Sequence, residues 1–131
     1  EVMKKILPKD TKPEMRVRRY LHAHGLRYRL HVRQMPGTPD IVLRKYNAVI
    51  QVRGCFWHQH NCRHAGIPKT RRNYWVPKLK RTIERDKEND RKLNQLGWRL
   101  WVIWECEIRT HRLLESVGEK LVFEIVNAES C

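Results

Sequence analysis

Apolar residues recur at intervals of three and four in three stretches of the chain, which predicts three amphipathic helices. The first follows the capping-box pattern Thr11-Lys12-Pro13-Glu14 and covers about residues 12 to 24. The second begins at Pro77 and ends near Gly97, and the third covers about residues 110 to 126. The apolar stripe of the second helix is formed by Leu79, Ile83, Leu93 and Leu96.

Four shorter stretches predict β-strands. Apolar and polar residues alternate over residues 28 to 33 and again over 98 to 104, as in strands with one buried face. Residues 41 to 43 and 48 to 52 are continuous apolar runs separated by Lys45-Tyr46-Asn47, which predicts a hairpin near the centre of a sheet.

The element order, helix, three strands, helix, strand and helix, predicts an α/β three-layer sandwich with a mixed central sheet. At 131 residues the chain has the length of a single domain, so residues 1–131 are assigned to one domain. We therefore expect one catalytic centre. The segment from Gly54 to about Tyr74 is polar, aromatic and histidine-rich, and it is too irregular for regular structure.

The net charge of the chain indicates what kind of partner it binds. The chain has 28 Lys and Arg against 14 Asp and Glu, a net charge of +14 that is spread along its whole length. Such a surface favours a polyanion, with nucleic acid ahead of a membrane or an acidic protein. No apolar run approaches the roughly 20 residues of a membrane-spanning helix, so we expect no membrane partner and a cytosolic location.

A candidate catalytic centre lies at the predicted hairpin. Asp40 begins one strand, and Gln51 and Arg53 end the next, which is the layout of a PD-(D/E)xK nuclease centre. Asp40 can bind a metal that activates water, and Arg53 can supply charge to the transition state. The plain alternatives are that Asp40 caps a turn and that Glu14 only caps the first helix.

A second candidate centre is rich in thiols and imidazoles. Cys55, His58, His60 and Cys62 lie within eight positions, and Cys106 follows the last strand. Tetrahedral zinc would use three of the four together with Cys106, and it would order a loop that lacks a core. Spacing leaves open which histidine is the ligand, and the other would be available as a general acid or base. Buried thiols beside a surface histidine run are the alternative.

Aromatic residues occur in the same irregular segment. Phe56, Trp57 and Trp75 lie among basic residues, where they could insert between base pairs or pack around the zinc. The three tryptophans of the last strand, Trp98, Trp101 and Trp104, are assigned to the core or to helix packing.

The segments Met35–Asp40, Gly54–Cys62 and Trp104–Cys106 together resemble the very short patch repair (Vsr) endonucleases. The similarity runs from about Met3 to Arg109, and Gly-Cys-Phe-Trp-His is its most specific part. The resemblance implies a restriction-endonuclease-like fold with a structural zinc. It implies magnesium-dependent nicking of one strand of double-stranded DNA, 5′ of the thymine in a T:G mismatch that arises from deaminated 5-methylcytosine.

The same resemblance implies a role for individual residues. Asp40 and the backbone carbonyl of Val52 would bind magnesium, His58 would assist water attack, and Glu14 would lie near the metal-bound waters. The zinc ligands would be Cys55, His60, Cys62 and Cys106. The DNA wedges would be Phe56, Trp57 and Trp75 from the major groove, with Met3 and Ile6 on an N-terminal arm of residues 1 to 11.

The chain departs from the family pattern beside the metal. Val52-Arg53 replace the usual Thr-His, and Gln59 and Asn61 replace histidines. A backbone carbonyl is independent of the side chain, but Arg53 can act only as a fixed charge. With Gln51, it brings the centre closer to ordinary restriction enzymes.

The resemblance also leads to expectations about the oligomeric state, location and partners of the protein. We expect a monomer in the bacterial cytoplasm, associated with the nucleoid and linked in function to a cytosine-5 methyltransferase and to mismatch-repair proteins. The alternatives are a restriction-type endonuclease with altered mismatch or sequence specificity and a catalytically inert, zinc-containing DNA-binding module.

Overall fold

The computed structural model describes residues 11–60 and 66–127, which form a four-stranded sheet and three α-helices. The predicted arm lies outside these residues except for Thr11, so Met3 and Ile6 are not described. The elements in chain order are α1 Lys12–Ala23, β1 Arg29–Leu30, β2 Ile41–Leu43, β3 Ala48–Arg53, α2 Arg72–Gln95, β4 Arg99–Trp104 and α3 His111–Asn127.

The sheet is mixed, as the element order predicts. Its strand order is β1-β2-β3-β4, with antiparallel pairing from β1 to β3 and parallel pairing between β3 and β4. The predicted hairpin between β2 and β3 is confirmed, and Asn47 closes it in the left-handed conformation with φ 56°. Parallel strands need a long crossover connection, and α2 lies in the connection from β3 to β4.

Helices cover both faces of the sheet. One buried cluster joins alternate strand residues such as Ile41 and Ile50 to Leu21 of α1 and Ile125 of α3. The other joins Val42, Val49 and their neighbours to Leu93 of α2. All three residues of β2 are buried, which confirms the central position predicted from its continuous apolar sequence. Helices therefore pack against both faces of the central strands β2 and β3.

The first strand is shorter than predicted. The alternation of Tyr28, Leu30 and Val32 predicts one buried face, but β1 ends at Leu30 because His31 has a φ of 46°. This left-handed residue reverses the side-chain alternation. Tyr28 and Leu30 consequently pack against the α1–α3 cluster, whereas Val32 belongs to the α2 cluster.

The second helix begins five residues earlier than predicted, at Arg72, and Pro77 lies inside it. Pro77 is the sixth residue of the helix, so its missing N–H costs one intrahelical hydrogen bond, the one that would reach the Asn73 carbonyl. Packing of Trp75 against two other aromatic rings extends the helix on this side of the proline. Leu96 was assigned to the buried stripe and is instead 65% exposed at the helix end, where Gly97 has φ 92°.

Candidate active site

Asp40 is held at the start of β2 by the strand beside it. The Val52 N–H donates to Asp40 Oδ2 at 2.8 Å, and the Asp40 N–H donates to Gln51 Oε1 at 3.1 Å. Pairing of β2 with β3 fixes this relation, because Ile41 lies opposite Ile50. The sequence predicts that Asp40 lies across the hairpin from Gln51 and Arg53. The contact with Gln51 is confirmed, whereas the Arg53 guanidinium binds acidic residues of α2 instead.

The Asp40 carboxyl lies in an environment that opposes its negative charge. The pKa of Asp40 is raised from 3.8 to about 6, mainly by burial and in part by the nearby Glu14 carboxylate. The Val52 N–H, His31 and His58 act in the opposite direction, and their effect is smaller than that of burial. A cation bound here would offset the cost of burying the negative charge of Asp40. Such a carboxylate is expected at a metal site.

Two further side chains come close to Asp40 from other elements. Glu14 of α1 is only 1% exposed, and its Oε2 lies 2.8 Å from His31 Nε2 and 3.4 Å from Arg18. One ligand atom from each of Glu14, His31 and Asp40 lies within 4.8 Å of the others. Thr11 caps α1 by accepting from the Glu14 N–H, so the predicted cap is present and the Glu14 side chain also faces the site.

His31 was missed by sequence reasoning. Its position in an apparently alternating strand assigned it to the exposed face, and only the positive φ turns the chain at this residue. A left-handed backbone at a non-glycine residue costs on the order of 1 to 2 kcal/mol and is concentrated at functional sites. The His31 N–H still donates to the Asp40 carbonyl at 3.1 Å, so the two residues are tied through the backbone.

His58 lies on the opposite side of the same cleft and is paired with α2. Its Nδ1 lies 2.6 Å from Asp86 Oδ2, so in the neutral imidazole Nδ1–H donates and Nε2 keeps its lone pair. A carboxylate that fixes the tautomer of a histidine is typical of acid–base centres. The chain turns sharply after His58, because Gln59 has φ 50°.

Arg53 is buried at the end of β3 and is engaged by acidic residues. Its Nη2 donates to Asp90 Oδ1 at 2.7 Å, and its Nε lies 4.0 Å from Asp86 Oδ2. Asp86 and Asp90 were also missed from the sequence. No distinctive sequence signal marks them, because Glu84 and Glu88 have the same spacing in this helix of mixed charge.

These groups line one cleft of about 530 Å³ between the hairpin and α2. Exposed Arg33 and Arg85 stand at its wall, so cations surround the acidic residues as phosphate binding requires. The lining residues are His31, Arg33, Gly37, Thr38, Asp40, Gln51, Val52, Arg53, His58, Arg85, Asp86 and Asn89.

A second group of ligands lies beyond β3. His60 Nδ1 is 3.5 Å from Cys106 Sγ and 3.8 Å from Cys55 Sγ. Tetrahedral zinc with these ligand types separates sulfur from nitrogen by about 3.6 Å, so the spacing fits. Cys62, the fourth predicted ligand, lies outside the described residues. The His60 ring stacks on Trp104 with centroids 4.2 Å apart, so this tryptophan packs on the ligand cluster rather than in the core.

Three predicted DNA-contacting aromatics form one cluster. Phe56, Trp57 and Trp75 meet edge to face, with centroids 5.3 to 5.6 Å apart, and all three are partly exposed. Tyr74 extends the cluster and lies beneath Arg71 and Lys78. The other two tryptophans of the last strand pack as predicted, Trp101 on the α1–α3 cluster and Trp98 on the α2 cluster.

The sequence also matches known proteins. The family model described as DNA mismatch endonuclease Vsr matches residues 1–64. The DNA mismatch endonuclease Vsr of Escherichia coli K12 is 38% identical over 121 residues, 91% of this chain and 78% of that protein. The type II nicking enzyme V.NmeAIP of Neisseria meningitidis is 41% identical over 127 residues, 97% of this chain and 91% of that protein.

The chain belongs to the Vsr family of DNA mismatch endonucleases. It is accordingly a DNA endonuclease, and the resemblance noted in the sequence is confirmed. A third Vsr-related protein, the type II nicking enzyme V.XorIIP of Xanthomonas oryzae, is 44% identical over 115 residues, 88% of this chain and 85% of that protein. One relative named as a mismatch endonuclease and two named as nicking enzymes thus each match most of the chain.

Within this Vsr-family chain, the described site residues divide into two groups. The first group lines one cleft and consists of Asp40, Gln51, Arg53 and His58 with the unpredicted His31 and Asp86. Glu14 and Asp90 adjoin it through their contacts with His31 and Arg53. Cys55, His60 and Cys106 lie around a second point. The catalytic and the zinc-binding candidates are thus separate sets, and His58 and His60 fall into different ones.

Proposed function

We propose that this Vsr-family protein is a magnesium-dependent endonuclease that nicks one strand of double-stranded DNA at a T:G mismatch, as in very short patch repair. The observation that carries the proposal is the cleft lined by Asp40 and the His58–Asp86 pair, with the buried Glu14 carboxylate beside Asp40. The mixed sheet with helices on both faces is compatible with a restriction-endonuclease-like fold, with residues 1–131 as one domain and residues 1 to 11 as an arm on DNA.

The donor set suits a hard divalent cation. Asp40 offers a carboxylate whose charge is poorly compensated, Glu14 offers a second, and the Val52 backbone is fixed beside Asp40 by a hydrogen bond. Oxygen ligands of this kind are those that magnesium prefers. When bound, the ion would neutralise the scissile phosphate and activate water. We assign Asp40 and the Val52 carbonyl as its protein ligands, with Glu14 near its waters.

His58 is proposed to move the proton. Asp86 holds the proton on Nδ1, which leaves Nε2 to accept one from the attacking water. The same carboxylate would stabilise the imidazolium that forms. Because His60 lies with the two thiols, His58 is the imidazole assigned to this step.

Arg53 receives a mixed role. From the sequence, Arg53 was expected to stabilise the negative charge of the transition state. Its guanidinium, however, already binds Asp90 and lies close to Asp86. A charge that is paired in this way contributes less to a phosphate than a free one would. We therefore propose that Arg53 and Gln51 mainly position their neighbours, Asp86 and Asp40 respectively, with the residual Arg53 charge directed to the phosphate.

The zinc is proposed to be structural and to be bound by Cys55, His60, Cys62 and Cys106. We expect one zinc per purified chain, and we expect Cys106→Ser to lose it together with much of the folding free energy, because structural zinc sites stabilise loops that lack a core. Zinc content by mass spectrometry and thermal unfolding measure this. Cys55→Ser should also lose zinc and folding free energy. A folded wild-type protein without zinc would contradict the assignment.

DNA contacts are proposed for the aromatic cluster. Phe56, Trp57 and Trp75 are rigidly packed, partly exposed and bordered by cationic side chains, which suits insertion beside an unstacked mismatch. Met3 and Ile6 would insert from the other side. The net charge of +14 supports binding to the phosphate backbone.

The setting of the reaction is also proposed. No helix in the described ranges is long and apolar enough to cross a membrane. We infer a monomer that acts on the bacterial nucleoid in the cytoplasm, in a pathway shared with a cytosine-5 methyltransferase and mismatch-repair proteins.

A duplex panel tests the specificity. End-labelled duplexes that differ only at one base pair should be nicked at least about 10-fold faster with T:G than with other mismatches or matched DNA, since one base contact discriminates by roughly 1 to 3 kcal/mol. Double-strand cleavage of a matched palindromic site would support a restriction-type enzyme instead. Binding without cleavage of any duplex would support the inert DNA-binding module.

A further inference from the structure

We infer that His31 is a third protein ligand of the divalent ion at Asp40, through its Nε2, and that the centre consequently prefers Mn²⁺ and other transition ions over Mg²⁺. The juxtaposition of Glu14, His31 and Asp40 around one point carries the inference. It rests on the proposed function, because it concerns the ion that this function requires.

The distances fit a shared ion. In octahedral coordination with bonds of about 2.1 Å, adjacent ligand atoms are about 3.0 Å apart. A ring nitrogen of His31 and a carboxylate oxygen of Asp40 lie within 4.8 Å of each other. His31 Nε2 is hydrogen-bonded to Glu14 Oε2 at 2.8 Å, and a bound ion would replace this bond, which would leave Glu14 to accept from the water molecules of the ion. The three residues come from α1, from the turn after β1 and from the start of β2, so they converge only in the folded chain.

The backbone at His31 is adapted to this placement. The residue leaves the strand with φ 46°, yet its N–H donates to the Asp40 carbonyl. Its side chain is 19% exposed and lines the cleft. The chain thus leaves the strand at His31, where the imidazole reaches Glu14 of α1 while the backbone stays bonded to Asp40.

A simpler role would be that His31 only neutralises Glu14. Arg18 already provides a cation to the same Glu14 oxygen at 3.4 Å, so Glu14 does not depend on His31 for charge. The other described imidazole that lines the cleft, His58, is hydrogen-bonded to Asp86 of α2 and is assigned to proton transfer, whereas His31 groups with Glu14 and Asp40 as potential metal ligands. His31 therefore remains the nitrogen ligand best placed beside the two carboxylates.

An imidazole ligand has a consequence for ion choice. Magnesium favours an all-oxygen environment, whereas nitrogen ligands raise affinity for transition ions. Removal of the His31 ring should therefore weaken Mn²⁺ binding more than Mg²⁺ binding. We expect His31→Gln to raise the Mn²⁺ dissociation constant by about 10-fold or more and that of Mg²⁺ by less than about 3-fold.

Pulsed electron paramagnetic resonance of Mn²⁺ bound to the zinc-loaded protein tests the assignment without reference to activity. The wild-type echo should show ¹⁴N modulation from a directly bound imidazole. His31→Gln should lose it, and the matched control His22→Gln, at an exposed histidine of α1, should keep it. A nitrogen-free wild-type spectrum, or modulation that persists in His31→Gln, would overturn the inference.

The Asp40→Asn variant separates this failure from failure of the proposed function. Mn²⁺ affinity should fall strongly in this variant, because Asp40 is the central ligand. If affinity depends on Asp40 but the spectrum lacks nitrogen, only the role of His31 is wrong. If Mn²⁺ binds to Asp40→Asn as tightly as to wild type, the ion is held elsewhere, and both the inference and the proposed metal centre fail.

Discussion

Asp40→Asn is expected to lower the single-turnover nicking rate by at least roughly 10³-fold while DNA binding persists. The amide still accepts a hydrogen bond from the Val52 N–H, so the hairpin geometry is retained. What is lost is the anionic ligand of the metal, whose stabilisation of the transition state is worth several kcal/mol. Glu84→Gln, at an exposed acidic residue of α2, is the matched control and should nick at the wild-type rate.

The same variant should be more stable than the wild-type protein when no divalent ion occupies the cleft. Burial raises the pKa of Asp40 from 3.8 to about 6, so the folded protein binds this proton more tightly than the unfolded chain does. The stability that this bound proton contributes is fully present below pH 3.8 and is lost as the pH rises through about 6. At pH 8 the ionised carboxylate destabilises the fold by about 2 to 3 kcal/mol.

Chemical denaturation of zinc-loaded protein without magnesium measures this gain. Asp40→Asn should gain about 2 to 3 kcal/mol at pH 8 and little at pH 4, where the wild-type carboxyl is already protonated. Magnesium should narrow the difference at pH 8, because it stabilises only the wild-type protein. Equal stability at pH 8 together with unimpaired nicking would show that Asp40 is an ordinary turn residue.

His58→Ala is expected to reduce nicking by about 10² to 10⁴-fold, the usual effect of losing a general base. DNA affinity should stay within a few-fold of wild type, because the aromatic cluster and the basic surface are unchanged. Single-turnover rates at saturating enzyme, with affinity measured in parallel, separate the two effects. His111→Ala, at an exposed histidine of α3, is the matched control.

Asp86→Asn tests the proposed orientation of His58. An amide can accept from Nδ1–H but carries no charge to stabilise the imidazolium, so an intermediate loss of rate is expected. Nicking by His58→Ala at the parental rate would refute the proton-transfer role of this residue. Such a result would leave the family membership untouched.

The parts of the site that could be predicted from sequence are local. The β2–β3 hairpin follows from two apolar runs and a short turn, and it places Asp40 beside Val52 without any other element. The Cys55–His60 segment is likewise compact in sequence. The core followed from the continuous apolar character of β2, which is buried on both faces.

The parts that could not be predicted depend on tertiary structure. His31 follows an alternating pattern that its left-handed backbone overrides, and no turn residue marks the place. Asp86 lies in a helix of mixed charge, where an acidic side chain is ordinarily solvated, and only packing of α2 beside β3 brings it to His58. The helix start predicted at Pro77 was wrong, because aromatic contacts on the N-terminal side of this proline outweigh one lost hydrogen bond.

A metal titration under single-turnover conditions tests whether an ion held at Asp40 makes this cleft the nicking site. Zinc-loaded protein freed of other divalent ions by dialysis is mixed with an end-labelled T:G duplex, and magnesium is added stepwise. We expect no nicking without added ion, saturable nicking of one strand with it, and no such response in Asp40→Asn. Magnesium-independent nicking, or an equal response in Asp40→Asn, would show that the nicking site does not depend on an ion at Asp40.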